Sequence, residues 1–266
     1  MLRLLIPIMT CGLLFVLAGC HADPAKTGGD DDAALRAAGY SRAPQVTGVE
    51  QGGGGSYIIS GNAMPDGRVR VTYGGDSAIG VTADAKGHFR APVPSSAQGG
   101  GLYDLSIEDN GRLMHAEGRL FIPPQHPEKA TLIRAGAPSL PLFDKTQAIA
   151  VIDYDAAGAI AISGHLAVSG TVDVLIDGDI RAQIKPDARH AYSAVSQIAP
   201  PGSVPKKVEI VLQPSGQKTG QNNVLATRTL LVSLPETNTD NISALADGWR
   251  VDSVLPGGGM QTTLVF

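Results

Sequence analysis

Short runs of alternating apolar and polar residues, separated by turn residues, cover most of the chain from about residue 45 onward. The run Arg68 to Tyr73 reads RVRVTY, with Val69 and Val71 on one face, and Leu102 to Ile107 alternates in the same way. A period of two residues is typical of a half-buried β-strand. Asp109-Asn110-Gly111 predicts a tight hairpin turn after the second run. The spacing of runs and turns predicts an all-β fold of the sandwich type.

This pattern occurs twice along the chain. The stretch ISGNAMPDGRVRV begins at Ile59, and the related stretch ISGHLAVSGTVDV begins at Ile162, 103 residues later. A period of this length is too long for a solenoid repeat and fits a duplicated domain. We therefore expect a first repeat at residues 45–124 and a second at 147–234. The prolines in the linker between them, residues 125–146, would restrict hinge motion.

The second repeat departs from the first in its turns. Val168-Ser169-Gly170 stands where the first repeat has Pro65-Asp66-Gly67, and His190 stands where the first repeat has Gly87. Both differences fall in turns, so the duplicated pattern of strands is unaffected by them.

The first repeat contains a set of short motifs in a fixed order. A strand ends in Ser60-Gly61, Pro65-Asp66-Gly67 makes a turn, Val69-Arg70-Val71 begins the next strand, and an Asp-x-x-Gly turn at Asp84 precedes Phe89. This layout resembles that of the bacterial Ig-like domains found in surface and envelope proteins. The resemblance implies two tandem Ig-like β-sandwiches.

The N-terminus has the features of a secretory signal. Arg3 supplies a positive charge, Leu4 to Val16 is apolar, and Leu17-Ala18-Gly19-Cys20 follows. The last four residues resemble the bacterial lipobox, which implies a signal peptide at residues 1–19 and an acylated Cys20, carrying palmitate or similar chains, that attaches the protein to a membrane. His21, rather than an aspartate, follows the cysteine, and this favours the outer membrane. Residues 20–44 would be a flexible tether.

The C-terminal extension, residues 235–266, predicts a short helix at Ile242 to Asp247 and then a β-hairpin. Its strands, Trp249 to Leu255 and Met260 to Phe266, are joined by a proline and three glycines. A lone hairpin is marginal in water, so it must dock on something. Two alternatives are open: packing on the second repeat, or contact with a partner protein. The candidate contact residues are Trp249, Val251, Leu255, Met260, Leu264 and Phe266.

Charge and cysteine content exclude some functions. The formal net charge is −4, and no basic patch is interleaved with aromatic residues. This argues against nucleic acid as a partner, since its binding depends on Lys and Arg side chains. The two cysteines are Cys11 and Cys20, so the body of the protein has neither a disulfide nor a cysteine metal site.

Catalytic signatures are missing from the sequence. It contains no His-Glu-x-x-His, Gly-x-Ser-x-Gly or Gly-x-x-x-x-Gly-Lys motif, and its glycine clusters do not open helices. We expect neither an enzyme nor a cofactor. Asp153-Tyr154-Asp155 and Asp177-Gly178-Asp179 fit either ordinary turns or oxygen ligands for calcium.

The sequence therefore predicts a non-enzymatic lipoprotein of the outer membrane that serves as a spacer or scaffold for another envelope protein. The alternative is a surface adhesin or glycan-binding lipoprotein. Only 5% of the residues are aromatic, and the few candidates for stacking on a sugar are Tyr57, Tyr73 and Tyr154.

Overall fold

The computed structural model describes residues 42–75, 77–95, 100–216 and 223–266. Within these residues the chain is built mainly of β-strands, and its helical structure is limited to two 3₁₀ turns, Gly53–Gly55 and Pro127–Lys129. The all-β fold expected from the alternating pattern is confirmed.

All strand pairings in the described chain are antiparallel. The first ten strands are β1 Gln45–Gln51, β2 Ser56–Asn62, β3 Arg68–Tyr73, β4 Ser77–Thr82, β5 His88–Pro94, β6 Gly101–Asp109, β7 Arg112–His115, β8 Arg119–Ile122, β9 Thr131–Ile133 and β10 Leu140–Pro141. The other ten are β11 Val151–Asp155, β12 Ala159–His165, β13 Val172–Ile176, β14 Asp179–Ile184, β15 Ala191–Gln197, β16 Lys206–Pro214, β17 Ala226–Val232, β18 Asn241–Ala244, β19 Trp249–Val254 and β20 Met260–Val265.

These strands form two sandwiches, each with its own core. In the first sandwich (β1–β10), a sheet of order β1-β2-β5 faces one of order β10-β9-β8-β6-β3-β4, with β7 beside β6. Ile59 and Leu105 come from opposite sheets of its core. In the second sandwich (β11–β20), the order β15-β12-β11-β20-β19-β18 faces β14-β13-β16-β17. Ile162 and Ile210 meet in that core.

The repeated Ser-Gly motif marks a close approach between strands in both sandwiches. A Cβ on Gly61 in β2 would strike the carbonyl oxygen of Gln45 and the ring of Phe89. A Cβ on Gly164, its counterpart in β12, would strike the carbonyl oxygen of Ala148. Only glycine fits such positions, so the repeated motif reflects the same packing requirement in each sandwich.

The turn that lost its glycine in the second repeat keeps its shape. Gly87 has a φ of 85°, and His190, 103 residues later, takes a φ of 65°. In both turns an aspartate at the start accepts two backbone N–H bonds: Asp84 from Lys86 and His88, and Asp187 from Arg189 and Ala191. The hydrogen bonds of the aspartate therefore hold the turn even where a histidine occupies the left-handed position.

The segment expected as a linker, residues 125–146, is ordered and belongs to the first sandwich. It contains the 3₁₀ turn at Pro127–Lys129, β9, which pairs with β8, and β10, which pairs with β9. Ala130 is buried in the first core, and Leu142 and Phe143 pack against it. The first and second sandwiches together form one compact unit that covers residues 41–266.

Candidate functional site

The C-terminal hairpin is an integral part of the second sandwich. β19 pairs with β20, and β20 pairs along its length with β11, from Val151 opposite Val265 to Asp155 opposite Gln261. The hairpin thus extends a sheet that already contains β12 and β15. Of the two alternatives left open by the sequence, packing on the second repeat is what the structure shows.

The strand before the hairpin corrects one expectation. The helix predicted at Ile242 to Asp247 is not formed; β18 occupies Asn241–Ala244 and pairs with β19, so that Ile242 lies opposite Val251. The edge offered by β19 decides the conformation of this short segment, because strand pairing satisfies backbone groups that one helical turn would leave unpaired.

One face of the hairpin closes the core of the second sandwich. Leu264 and Phe266 are buried there, with 3% and 6% of their surface exposed. The guanidinium of Arg228 in β17 lies 3.7 Å from the centre of the Phe266 ring, and Arg228 also forms an ion pair of 2.5 Å with Asp247. The end of the chain is therefore held by packing, a cation–π contact and an ion pair.

The opposite face of the hairpin packs against the first sandwich. A separate apolar cluster joins residues of β6, β8 and β9 to residues of β19 and β20. We call it the joint; its buried members are Leu102, Phe121, Ile133, Val251 and Val265. Trp249 and Ile242 pack at its margin. Burial of side chains of this size contributes about 1.5–3 kcal/mol each, so the joint resists separation of the two sandwiches.

The six candidate contact residues fall into two groups. Val251, Leu264 and Phe266 are buried within this chain, whereas Trp249, Leu255 and Met260 are partly exposed. A partner could reach only the second group directly. Contact between that group and a partner stays a prediction.

Trp249, the only tryptophan of the chain, lies where the hairpin meets the segment 125–146. The ring of His126 is tilted against it at a centroid distance of 5.5 Å, and the Lys129 ammonium lies 5.7 Å from the centroid. The side chain of His126 also lies 2.9 Å from Glu128. This contact connects the hairpin to the first sandwich beside the joint.

A buried carboxylate adds polar contacts between the two sandwiches. Asp153 in β11 accepts hydrogen bonds from the backbone N–H and the hydroxyl of Ser139, from the Gln261 amide and from the Thr263 hydroxyl, at 2.7–3.0 Å. Ser139 belongs to the first sandwich and Gln261 and Thr263 to the hairpin. Burial raises the pKa of the Asp153 carboxyl, and the hydrogen bonds that it accepts oppose that rise.

Arg119 forms two ion pairs at the edge of the joint. Arg119 in β8 contacts Asp104 at 3.1 Å and Asp240, just before β18, at 2.7 Å. Asp240 also accepts the backbone N–H of Val254 at 3.0 Å. Clefts of about 690 Å³ and 610 Å³ lie on either side of Arg119.

The tyrosines proposed as sugar-stacking residues are mostly inside the protein. Tyr57 and Tyr154 are 1% and 2% exposed, so their rings cannot stack on a glycan; for these two residues the expectation was wrong. The Tyr57 hydroxyl donates to the carbonyl of Pro123. Tyr73 is half-buried and packs against the ring of Tyr103 at a centroid distance of 6.1 Å.

The other predicted sites are only partly within the described residues. Cys20, the signal segment and most of the tether lie outside them. In the described chain, no set of three His, Cys, Asp or Glu side chains is arranged to hold a metal ion, and no helix has the length and apolar character needed to cross a membrane. Asp153 uses its carboxylate in the buried network, and Asp177-Gly178 forms the turn between β13 and β14 with positive φ at both residues.

Comparison with known proteins gives little beyond the geometry. No family model matches the chain, and no curated protein matches its sequence. Among solved structures, it is similar to the BSP domain of a biofilm-associated protein (14% identity, TM-score 0.23, covering 73% of this chain and 30% of that one). It is also similar to invasin, a bacterial integrin-binding protein (11% identity, TM-score 0.20, covering 85% and 54%). The chain thus spans less than two thirds of either structure, and TM-scores this low establish neither a shared topology nor a shared function.

Proposed function

We propose that this chain is a non-enzymatic lipoprotein of the bacterial cell envelope, in which two Ig-like modules form a spacer and a binding platform for another envelope protein. The observation that carries the proposal is the double use of the C-terminal hairpin. One face of it completes the second sandwich and the other face holds the first. A spacer must keep its modules at a fixed separation, and a buried apolar joint does so better than a linker.

The attachment part of the proposal comes from the sequence. Leu17-Ala18-Gly19-Cys20 would place lipid on Cys20, in the outer membrane by preference, and residues 21–44 would carry the modules away from the bilayer. Incorporation of labelled palmitate tests this directly. The wild-type chain should take up the label and the Cys20→Ala chain should not. Equal labelling of both chains would contradict lipidation at this position.

The spacer part can be tested by distance measurements between the sandwiches. Leu113 in the first and Ile180 in the second are 59% and 52% exposed, so spin labels at Leu113→Cys and Ile180→Cys should not disturb the cores. We expect one narrow distance distribution in the full chain. Adding Val251→Asp, which places an unpaired charge in the joint, should broaden it. A broad distribution without that change would rule out a rigid spacer.

Protease treatment of cells distinguishes the scaffold proposal from the alternative function, a surface adhesin. Protection of the chain in intact cells and its degradation after permeabilisation would place it in the periplasm, as the scaffold proposal requires. Degradation in intact cells would favour the adhesin. Photo-crosslinkers at Leu255 and Met260 then test for an envelope protein at the hairpin, with a crosslinker at the exposed Leu113 of the first sandwich as the control.

A further inference from the structure

Two equivalent strands, β5 and β15, form free edges of their sheets. β5 ends the order β1-β2-β5, and β15 ends the order that begins β15-β12-β11. The two strands correspond residue for residue at the 103-residue offset, His88–Pro94 with Ala191–Gln197. The duplication therefore permits a direct comparison of how each sandwich treats the same edge.

In the first sandwich this edge is blocked by prolines. Ser95 donates its N–H to Gly55, so the hydrogen bonds of the ladder fall on odd-numbered residues of β5 and the backbones of even-numbered residues point outward. Pro92 and Pro94 occupy two of those outward positions. Neither has an N–H to donate, which is a common protection of an edge strand against pairing.

In the second sandwich the same edge is open. Ile198 donates to Gly158, so the backbones of odd-numbered residues of β15 point outward. Asp187 pairs with both outward groups of Ala191: its carboxylate accepts the Ala191 N–H, and its own N–H donates to the Ala191 carbonyl. Ser193, Val195 and Gln197 keep both N–H and C=O outward, and hydrogen bonds to these groups are not found within the described part of the chain. Val195 and Gln197 stand where the first sandwich has its prolines.

β15 also lacks the charged side chains that usually guard an edge. Its sequence, AYSAVSQ, has no Asp, Glu, Lys or Arg, and Val195 is 63% exposed. Several other edges of the described sheets are protected: β14 carries Asp179 and Arg181, and β1 carries Glu50. β18, at the other end of the same sheet as β15, is uncharged but has only four residues, and a short edge strand offers little to pair with. β4 is uncharged, but the Arg68 guanidinium lies over its central Gly80.

We infer that the free edge of β15 is a strand-addition site and that its occupant is β15 of a second copy of this chain. Two copies would pair antiparallel about a twofold axis at Val195, with Ser193 of each opposite Gln197 of the other. Pairing a strand with itself in this way matches every outward donor to an acceptor. No like charges oppose each other, and the two exposed Val195 side chains come into contact.

A cysteine at the axis tests this pairing in the full chain. Directly opposite residues of a hydrogen-bonded pair have Cα atoms about 5.5 Å apart, which is within the range that a disulfide spans. Oxidation of Val195→Cys should therefore give a disulfide-linked dimer. The unsubstituted chain, with only Cys11 and Cys20, sets the background. Val204→Cys, 78% exposed on a loop, is the control for random collision and should stay near that background.

The complementary test places a proline at Gln197, the position in β15 that is equivalent to Pro94 of the first sandwich. Gln197→Pro, added to Val195→Cys, should abolish the dimer, with circular dichroism showing that the chain is still folded. Sedimentation of the otherwise unaltered chain in detergent should give the mass of a dimer, and Gln197→Pro should reduce it to that of a monomer. A dimer yield for Val195→Cys no higher than for Val204→Cys would overturn the inference. So would an adduct with a different protein in place of the dimer.

Discussion

Leu264 and Val265 are adjacent in β20, yet their side chains belong to different cores. Leu264 is 3% exposed and packs inside the second sandwich, whereas Val265 is 2% exposed and packs with Leu102 and Phe121 of the first. Successive side chains of a strand point to opposite faces, so one strand serves both sandwiches. The two functions of the hairpin can therefore be separated by substitutions at neighbouring positions.

Leu264→Ala should destabilise the second sandwich, and Val265→Ala should weaken the joint. The first change removes part of a core and should cost about 2–5 kcal/mol of unfolding free energy. The second should change the environment of Trp249 at urea concentrations that leave both cores folded. Urea titrations followed by tryptophan fluorescence and by far-UV circular dichroism distinguish the two effects. Coincident fluorescence and dichroism transitions for Val265→Ala would argue against a separable joint.

Deletion of residues 249–266 should unfold the second sandwich. It would leave β11 without its partner β20 and remove Leu264 and Phe266 from the core. We expect loss of cooperative thermal unfolding in calorimetry and aggregation of the truncated chain. Leu255→Ser, at the partly exposed end of the hairpin, is the control and should leave the fold intact. A truncated chain that unfolds as cooperatively as the full chain would mean that the hairpin is only an attachment.

Local patterns predicted the strands and turns of this protein well. β6 and β7 are joined by Asn110-Gly111, with φ of 50° and 76°, as the Asp-Asn-Gly sequence predicts for a two-residue hairpin loop. The helix predicted at Ile242 to Asp247 failed because the edge of β19, formed later in the chain, decides that segment. Secondary structure was predictable where neighbours in sequence determine it, and not where a distant strand does.

The joint could not be predicted from local patterns. The sequence offers Asp153 as a turn residue or a calcium ligand, but its hydrogen-bond partners Gln261 and Thr263 lie 108 and 110 residues away. Arg119 and Asp240 are 121 residues apart. Alternation places Val265 and Leu264 on opposite faces of a strand without showing that both faces are buried. Which surfaces meet depends on tertiary packing that a single sequence does not reveal.

Asp153→Ala should cost more stability than Asp153→Asn. The alanine leaves the donors of Ser139 and Thr263 without this acceptor and leaves the Gln261 amide only its longer bond to the Thr263 hydroxyl, at about 1–3 kcal/mol for each buried group left unpaired. The asparagine keeps one accepting oxygen. Chemical denaturation of the two variants and the wild-type chain at neutral pH measures the difference. Equal stability of the two variants would indicate that water replaces the carboxylate.

The same carboxylate should give a pH dependence of defined sign. Burial raises the pKa of Asp153 above its ordinary value of 3.8, so its contribution to stability is fully present below that value and is lost as the pH rises through the raised pKa. The stability of the wild-type chain relative to Asp153→Asn should therefore fall as the pH rises above about 4. A difference that grows over this range would mean that the hydrogen bonds outweigh burial.

The equivalent turn aspartates of the two sandwiches, Asp84 and Asp187, should give stability the opposite pH dependence. Backbone N–H bonds, chiefly from His88 and from Ala191, lower the pKa of Asp84 and of Asp187. Their contribution to stability is present above the ordinary value and is lost as the pH falls through the lowered pKa. The Tm of the double variant, which carries both Asp84→Asn and Asp187→Asn, should be below that of the wild-type chain at neutral pH. In acid the two Tm values should converge. Thermal melts across this range test both turns together.

His190→Gly should stabilise the second sandwich. A non-glycine residue in the left-handed region costs about 1–2 kcal/mol, which the glycine substitution would recover. Glycine loses about 0.5–1 kcal/mol of this recovered stability, because its backbone gives up more conformational entropy on folding. The net gain should be at most about 1.5 kcal/mol, seen as a higher Tm. Arg189→Gly, in the same turn without a positive φ, should lower the Tm. In the first sandwich, Gly87→Ala should also lower it, because the new Cβ meets the carbonyl oxygen of Ala63. A lower Tm for His190→Gly would mean that the imidazole makes contacts worth more than the strain.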